Sequence, residues 1–158
     1  MHQPLSPRIA VVGHGRLGTA LHRALVSSGL DAGVRPLGRG ATGEGSELVL
    51  LCVPDREIVA ASATITPGPL VVHCSGAGSL HLAAEHHLRR GVLHPLMSVP
   101  SGEASLEGAC AAIRATDASD AAVLRSIAER LGMVPIDVAE EDRTAYHAAA
   151  SLASNALV

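Results

Sequence analysis

The chain has 158 residues, of which 47% are hydrophobic, 17% charged and only 1% aromatic, and it carries a formal net charge of −3. That is enough apolar chain to bury one domain core, and the core must be aliphatic and alanine-rich because Tyr146 is the sole aromatic residue. The mild negative charge, with no basic run, excludes a nucleic-acid surface, and no apolar run approaches the length of a membrane span. The amino end, MHQPLSPR, does not read as a secretory leader. Cys52, Cys74 and Cys110 are odd in number, widely spaced and set among apolar or small residues. They read as the reduced thiols of a cytoplasmic protein, with Cys52 and Cys110 as small core residues and Cys74 at a loop mouth.

The first element is a buried strand, Ile9-Ala10-Val11-Val12, which runs into Gly13-His14-Gly15-Arg16-Leu17-Gly18 and then into a helix marked by Leu17, Ala20, Leu21, Ala24 and Leu25. Strand, glycine turn and helix in this order define a dinucleotide site. Gly13 permits the tight turn, Gly15 lets the backbone approach a pyrophosphate, and Gly18 lets the helix pack on the strand. The unpaired N–H groups and the dipole of the helix start favour an anion there. Gly13 through Gly18 are therefore candidate cofactor residues.

Further along, a weak second strand is expected near Gly33 to Leu37, followed by the glycine-rich connection GRGATGEGS. LVLLCV at 48–53 is a buried strand ending at Pro54-Asp55, and Asp55 is placed to cap the helix REIVAASATI. PLVVHCSG forms the next strand, and a helix is expected from near Ser79. GVLHP at 91–95 is a short strand, 96–108 a polar loop, and ACAAIRA another strand. Asp117 or Ser119 then caps the helix AAVLRSIAERLG, which Gly132 stops. VPIDVA is the last strand. Strands alternating with helices predict an α/β, Rossmann-like fold with a largely parallel sheet covered on both faces. The helix opened by EEDRTAYHAAASLASNALV has a broad apolar surface (Ala145, Ala148, Ala149, Leu152, Ala153, Ala156, Leu157) and no stop signal. It needs its own sheet, a second copy or a further domain to cover it. The expected organisation is a nucleotide-binding domain at 1–139 and the start of a helical, dimer-forming domain at 140–158.

Cofactor choice is read at the end of the second strand, where an NAD site places a carboxylate for the ribose hydroxyls and an NADP site an arginine for the extra phosphate. The stretch here is Leu37-Gly38-Arg39-Gly40, and Asp31 lies too early. Arg39 therefore favours NADP over NAD. Among nine histidines, His81, His86 and His87 with Glu85 lie close in sequence. They read as the polar face of a surface helix rather than a zinc site, because no second ligand cluster accompanies them.

GHGRLGTAL, LLCVPDREI, VVHCSGAGSL, GVLHPLMSV and DRTAYHAAASLASN occur in the order seen in Rossmann-like oxidoreductases with a C-terminal helical domain of unknown function, a family that this chain resembles over nearly its whole length. The wider group includes 6-phosphogluconate dehydrogenase-like reductases: pyrroline-5-carboxylate reductase, ketopantoate reductase, prephenate dehydrogenase and 3-hydroxyacid dehydrogenases. The resemblance implies NADP-linked hydride transfer on a small-molecule substrate, with a following helical domain that forms the homodimer and closes over the site. A non-catalytic NAD(P)-binding sensor or scaffold is the alternative.

Ligands of open α/β sheets bind outside the carboxyl ends of the strands, where Val53, Pro54, Asp55, Ser75 and His94 all fall. Val53 and Pro54 are expected to wall the nicotinamide or its ribose, and Ser75 to donate to a substrate oxygen. His94 is the leading acid/base candidate, since its ordinary pKa lies near neutrality; prephenate dehydrogenases are similar in carrying a His-Pro pair at a comparable place. A histidine that merely fixes its loop is the competing reading. His73 shares a face with Ser75 and fits a site residue or a satisfied core histidine equally. On the last helix His147, Ser151 and Asn155 lie one turn apart, and His147 and Asn155 are candidates to complete the site. Hydroxyacid dehydrogenases carry a lysine four residues before such an asparagine; Ser151 stands there instead and brings no positive charge for a developing alkoxide.

Overall fold

Strict two-residue alternation along the strands decides how this chain layers. The computed structural model describes residues 7–155, with the side chains of Ser154 and Asn155 outside the description. Six strands, β1 (Ile9–Val12), β2 (Leu48–Leu51), β3 (Leu70–His73), β4 (Arg90–Leu96), β5 (Cys110–Ala115) and β6 (Val134–Asp137), form one sheet in that order. All neighbours are parallel except β4 and β5. Ile9, Val11, Leu48, Leu50, Leu70, Val72, Leu93 and Ile113 point to one face. There they meet the helices α1 (Arg16–Ser27) and α3 (Ala118–Arg130) through Leu21, Leu25, Leu124 and Ile127. Ala10, Val12, Val49, Leu51 and Val71 point to the other face, where Ile58 of α2 (Ile58–Thr64) and Ile65 cover them.

The helix signals of α3 work as read. The Asp117 carboxylate accepts the Asp120 N–H at 2.8 Å, and Gly132 stops the chain at φ +77°. The expected second strand at 33–37 is reduced to a single bridge between Leu37 and Val12. Pro36 cannot donate to a ladder, and Gly33 already turns at φ +68°, so only Leu37 pairs, its N–H donating to the Val11 carbonyl at 2.7 Å. Asp55 does not cap its helix either. The chain leaves Pro54 in a 3-10 turn, Asp55–Glu57, before α2, and no side chain caps it.

The expected helix from Ser79 is also absent. Only one 3-10 turn, Leu80–Leu82, forms, and residues 83–89 run without regular structure. Its histidines divide: His81 and His86 are exposed, His86 reaching the Ile65 carbonyl, whereas His87 is buried and its Nε2–H donates to the Ser62 carbonyl at 2.8 Å. Ser62 is fully buried. Its hydroxyl donates to the Val59 carbonyl and accepts the Ala84 N–H at 2.8 Å, so the segment is pinned to α2 by tertiary hydrogen bonds that no helix offers. Among the described residues no three His, Cys, Asp or Glu converge on a metal site, and no helix is long and apolar enough to cross a membrane.

Burial holds the pKa of His73, His87 and His94 below the ordinary histidine value. Their neutral forms belong to the folded state, so the unfolded chain binds more protons as pH falls below about 6.5. Stability is therefore fully present above that pH and falls below it. Urea unfolding should show a lower midpoint at about pH 5 than at about pH 7.5, and His87→Gln, which keeps an N–H for the Ser62 carbonyl, should flatten the dependence. A midpoint that is level across this range would refute it.

Candidate functional site

Three stretches of backbone meet where β1 ends. At Gly13, φ is +124° and a Cβ would overlap the carbonyl oxygen of Cys52; a Cβ on Gly18 would overlap the carbonyl oxygen of Gly13. These two glycines allow strand, turn and helix to pack without a side chain between them. Gly15 differs. It sits in extended conformation at the N-cap of α1, and nothing lies within 4 Å of where its Cβ would be. No side chain caps α1 and its first turn has no acidic residue, so its leading N–H groups are left for a ligand.

The space beside Gly15 is a cleft of about 410 Å³, bounded by Gly13, His14, Gly15, Gly38, Arg39, Cys52, Val53 and Pro54, with Glu57, Ala60, Ala61 and Thr64 as its far wall. The chain leaves β1 for the Leu37 bridge on one side and returns as β2 on the other. The cleft is thus at the topological switch point where α/β sheets take ligands. Of the residues read from sequence, Gly13, His14, Gly15, Arg39, Val53 and Pro54 line it. Arg16 is exposed at the helix start, Leu17 packs on the core and Gly18 lies under the turn. The Arg39 side chain is 89% exposed, and its guanidinium reaches the Glu57 carboxylate at 3.5 Å.

A second group of polar residues occupies the sheet face that α2 leaves uncovered. Register places Leu51, His73, Val92 and Arg114 in one row across β2 to β5, and His94 lies two residues along β4 on the same face. His73 is fully buried. Its Nδ1 accepts the Ser75 N–H at 3.2 Å and its Nε2–H donates to the Ser79 carbonyl at 2.9 Å, so it is a satisfied histidine that shapes the 75–79 loop.

The Ser75 hydroxyl donates to Asp55 at 2.8 Å and accepts the Gly78 N–H at 2.9 Å. Its one hydrogen is directed to Asp55, where the sequence reading expected it to face a substrate oxygen. Asp55 and Ser75 lie outside the cleft lining and instead tie the β2 and β3 loops together.

His94 is half-buried, with its ring against the Gly76 backbone: a Cβ on Gly76 would lie 2.6 Å from Cε1. Its Nδ1 is 2.9 Å from the Tyr146 hydroxyl, and the rings meet edge to face at 5.8 Å. Desolvation lowers its pKa first, then the charges of His147 and Arg114, partly offset by Asp55. These effects favour the neutral form of His94, and burial raises the Tyr146 pKa, which favours the protonated phenol. His147 is exposed on α4 (Arg143–Asn155), close enough to weigh on His94 electrostatically. Asn155 is the last residue of that helix, and its side chain lies outside the described residues.

Sequence reading missed a clamp on the 75–79 loop. Arg114, almost fully buried on β5, donates to the Gly78 carbonyl at 2.8 Å and to Glu140 at 3.0 Å. Arg143, the first residue of α4, donates to the Ala77 carbonyl at 2.8 Å and pairs with the same Glu140. An arginine inside a strand was its one sequence signal, since such a charge is buried only with partners. The same helix turns Tyr146 and the buried Ala150 inward while Ala145, Ala148, Ala149 and Leu152 stay exposed.

This architecture is that of the Rossmann-like dinucleotide folds, and the comparisons agree. The chain is similar to a protein of Bacteroides fragilis assigned as an NADP oxidoreductase, with 22% identity, a TM-score of 0.79, and 95% of this chain aligned to 67% of that one. It is also similar to prephenate dehydrogenase of Aquifex aeolicus solved with hydroxyphenyl propionate and NAD+ (15% identity, TM-score 0.72, 90% of this chain and 63% of that one). A third is the Plasmodium falciparum pyrroline carboxylate reductase with NADP bound (10% identity, TM-score 0.72, 96% and 64%). The chain thus spans about two thirds of the length of these structures. Residues 109–158, from just before β5 through α4, match the domain of unknown function DUF2520. The resemblance read from the five motifs is borne out. No curated protein matches the chain in sequence.

Gly13 and Gly15 separate by experiment. Gly13→Ala should cost on the order of 1–3 kcal/mol of stability from strain and overlap, whereas Gly15→Val should fold normally, because its side chain enters open space. Thermal unfolding of the two variants checks this, and equal losses would refute the distinction. At the second group, Tyr146→Phe removes the hydroxyl at Nδ1 and should change the tautomer balance of His94 seen in nitrogen-proton NMR of the imidazole. Identical ring-nitrogen shifts in both proteins would show that the pair does not form in solution.

Proposed function

We propose that this chain is the nucleotide-binding part of an NADP-dependent oxidoreductase that moves a hydride to or from a small carbonyl, imino or hydroxy acid. The observation that carries this reading is the cleft at the switch point, floored by an uncapped helix start and the open backbone of Gly15, with Arg39 at its rim. Those residues fit a dinucleotide: free N–H groups for the pyrophosphate, Val53 and Pro54 as an apolar wall, and a guanidinium for a 2′-phosphate. The solved structures described as an NADP oxidoreductase and as a reductase with NADP bound support that cofactor. When bound, the nicotinamide supplies or accepts the hydride. The chain's own contribution is to hold it at the strand ends and to present His94.

His94 acts as the acid/base in this reading. With Nδ1–H donating to the Tyr146 oxygen, Nε2 gives a proton to a substrate oxygen or nitrogen when the ring is protonated and takes one when it is neutral. Asp55, Ser75, Arg114, Glu140 and Arg143 are positioning residues that shape the loop against which His94 rests. The exposed apolar stripe of α4 would be covered by a second copy or by the rest of a helical domain beginning near residue 140, which also closes the site to water. A cytoplasmic location fits the three free thiols. A nucleotide sensor without turnover is the second reading; it is favoured by Ser75, whose hydrogen is already committed to Asp55.

Calorimetry should show NADP binding to the purified chain, and Gly15→Val should weaken it at least ten-fold, about 1.4 kcal/mol. Arg39→Ala should cost NADP on the order of 1.5–3 kcal/mol and leave NAD nearly unaffected. An Arg39→Ala change that leaves NADP affinity intact would overturn the assignment of Arg39. Oxidation of NADPH by small keto or imino acids should drop in His94→Asn at unchanged cofactor affinity; no turnover by the parent protein would favour the sensor.

A further inference from the structure

The second-strand position that decides cofactor choice holds Arg39 and no carboxylate, yet the fold supplies one from elsewhere. Glu57 belongs to the 3-10 turn after β2, with its N–H donating to the Pro54 carbonyl at 2.8 Å. It lines the same cleft as Gly38, Arg39 and Gly40, and its carboxylate lies 3.5 Å from the Arg39 guanidinium. The two side chains differ in freedom. Glu57 is 34% exposed on a hydrogen-bonded turn against the cleft wall, whereas Arg39 is 89% exposed on a glycine-flanked loop.

Resting on the dinucleotide reading above, we infer that Glu57 is a specificity-determining residue that opposes Arg39 and lets the site accept NAD as well as NADP. The ribose of the adenosine half lies at the end of the second strand in such folds. There a 2′-phosphate must draw Arg39 away from Glu57 and tolerate that carboxylate nearby; a bare ribose leaves the pair closed and finds in Glu57 an acceptor for its hydroxyls. An ion pair this exposed is weak, so a phosphate can open it. The preference that Arg39 creates is thereby narrowed by a residue 18 positions further along the chain.

The test is calorimetric titration of wild-type protein, Glu57→Gln, Glu57→Asp and Arg39→Ala with NADP and with NAD at low and high salt. Glu57→Gln should tighten NADP about three- to five-fold, the upper range for a half-exposed charge pair, and leave NAD unchanged or weaker. Glu57→Asp, which keeps the charge, should stay near the wild-type ratio. Arg39→Ala with Glu57 intact should favour NAD, and high salt should shrink every difference. An NADP/NAD affinity ratio that is the same in wild type and Glu57→Gln overturns the inference while leaving the cofactor site standing. Wild-type protein that binds neither nucleotide overturns both.

Discussion

The backbone of Gly13 lies against the carbonyl of Cys52, and the first turn of α1 lies against the carbonyl of Gly13. This contact between three main chains governs the rest of the carboxyl edge. It brings the helix start close enough to β2 that one ligand can touch the α1 N–H groups, Val53 and Pro54 together. It also sets the height at which β2 hands over to the 3-10 turn, and hence where Asp55 meets Ser75 and Glu57 meets Arg39. A side chain at either glycine would push these elements apart, whereas Gly15, which bears no such load, leaves room for a ligand.

The two faces of the sheet are treated differently. One is sealed from β1 to β5 by α1 and α3 over a continuous aliphatic core. The other is sealed by α2 over the first three strands, and beyond them the chain covers it with an irregular loop and the start of α4. Irregular cover brings backbone carbonyls that need donors, and two of the strand residues beneath it, His73 and Arg114, are accordingly polar. The polar surface around His94 thus arises where the regular layering stops, and Arg143 and Tyr146 tie α4 to it.

What could be read from the sequence was whatever depends on neighbours in the chain. The glycine turn, the buried strands, the Asp117 cap and the Gly132 stop all follow from local backbone chemistry, and each is where reading placed it. The 79–90 stretch misled because its apolar spacing fits a helix, while the deciding bonds run to Ser62 and Ile65 on another element. Glu57 beside Arg39, and Arg114 with Arg143 across Glu140, were invisible for the same reason: strand order and crossover brought them together, and neither leaves a mark in local spacing. The commitment of the Ser75 hydrogen to Asp55 likewise needed the loops of two adjacent strands to be seen at once.

The chain has one tyrosine and no tryptophan or phenylalanine, and that tyrosine rests on His94. All its intrinsic ultraviolet emission therefore originates at the candidate catalytic histidine, without a background from the core. Hydrogen bonding to an imidazole quenches a phenol, and a reduced nicotinamide held nearby would take up its excitation. A chain so poor in aromatics thus carries a built-in optical reporter, and the light it emits describes its site rather than its bulk.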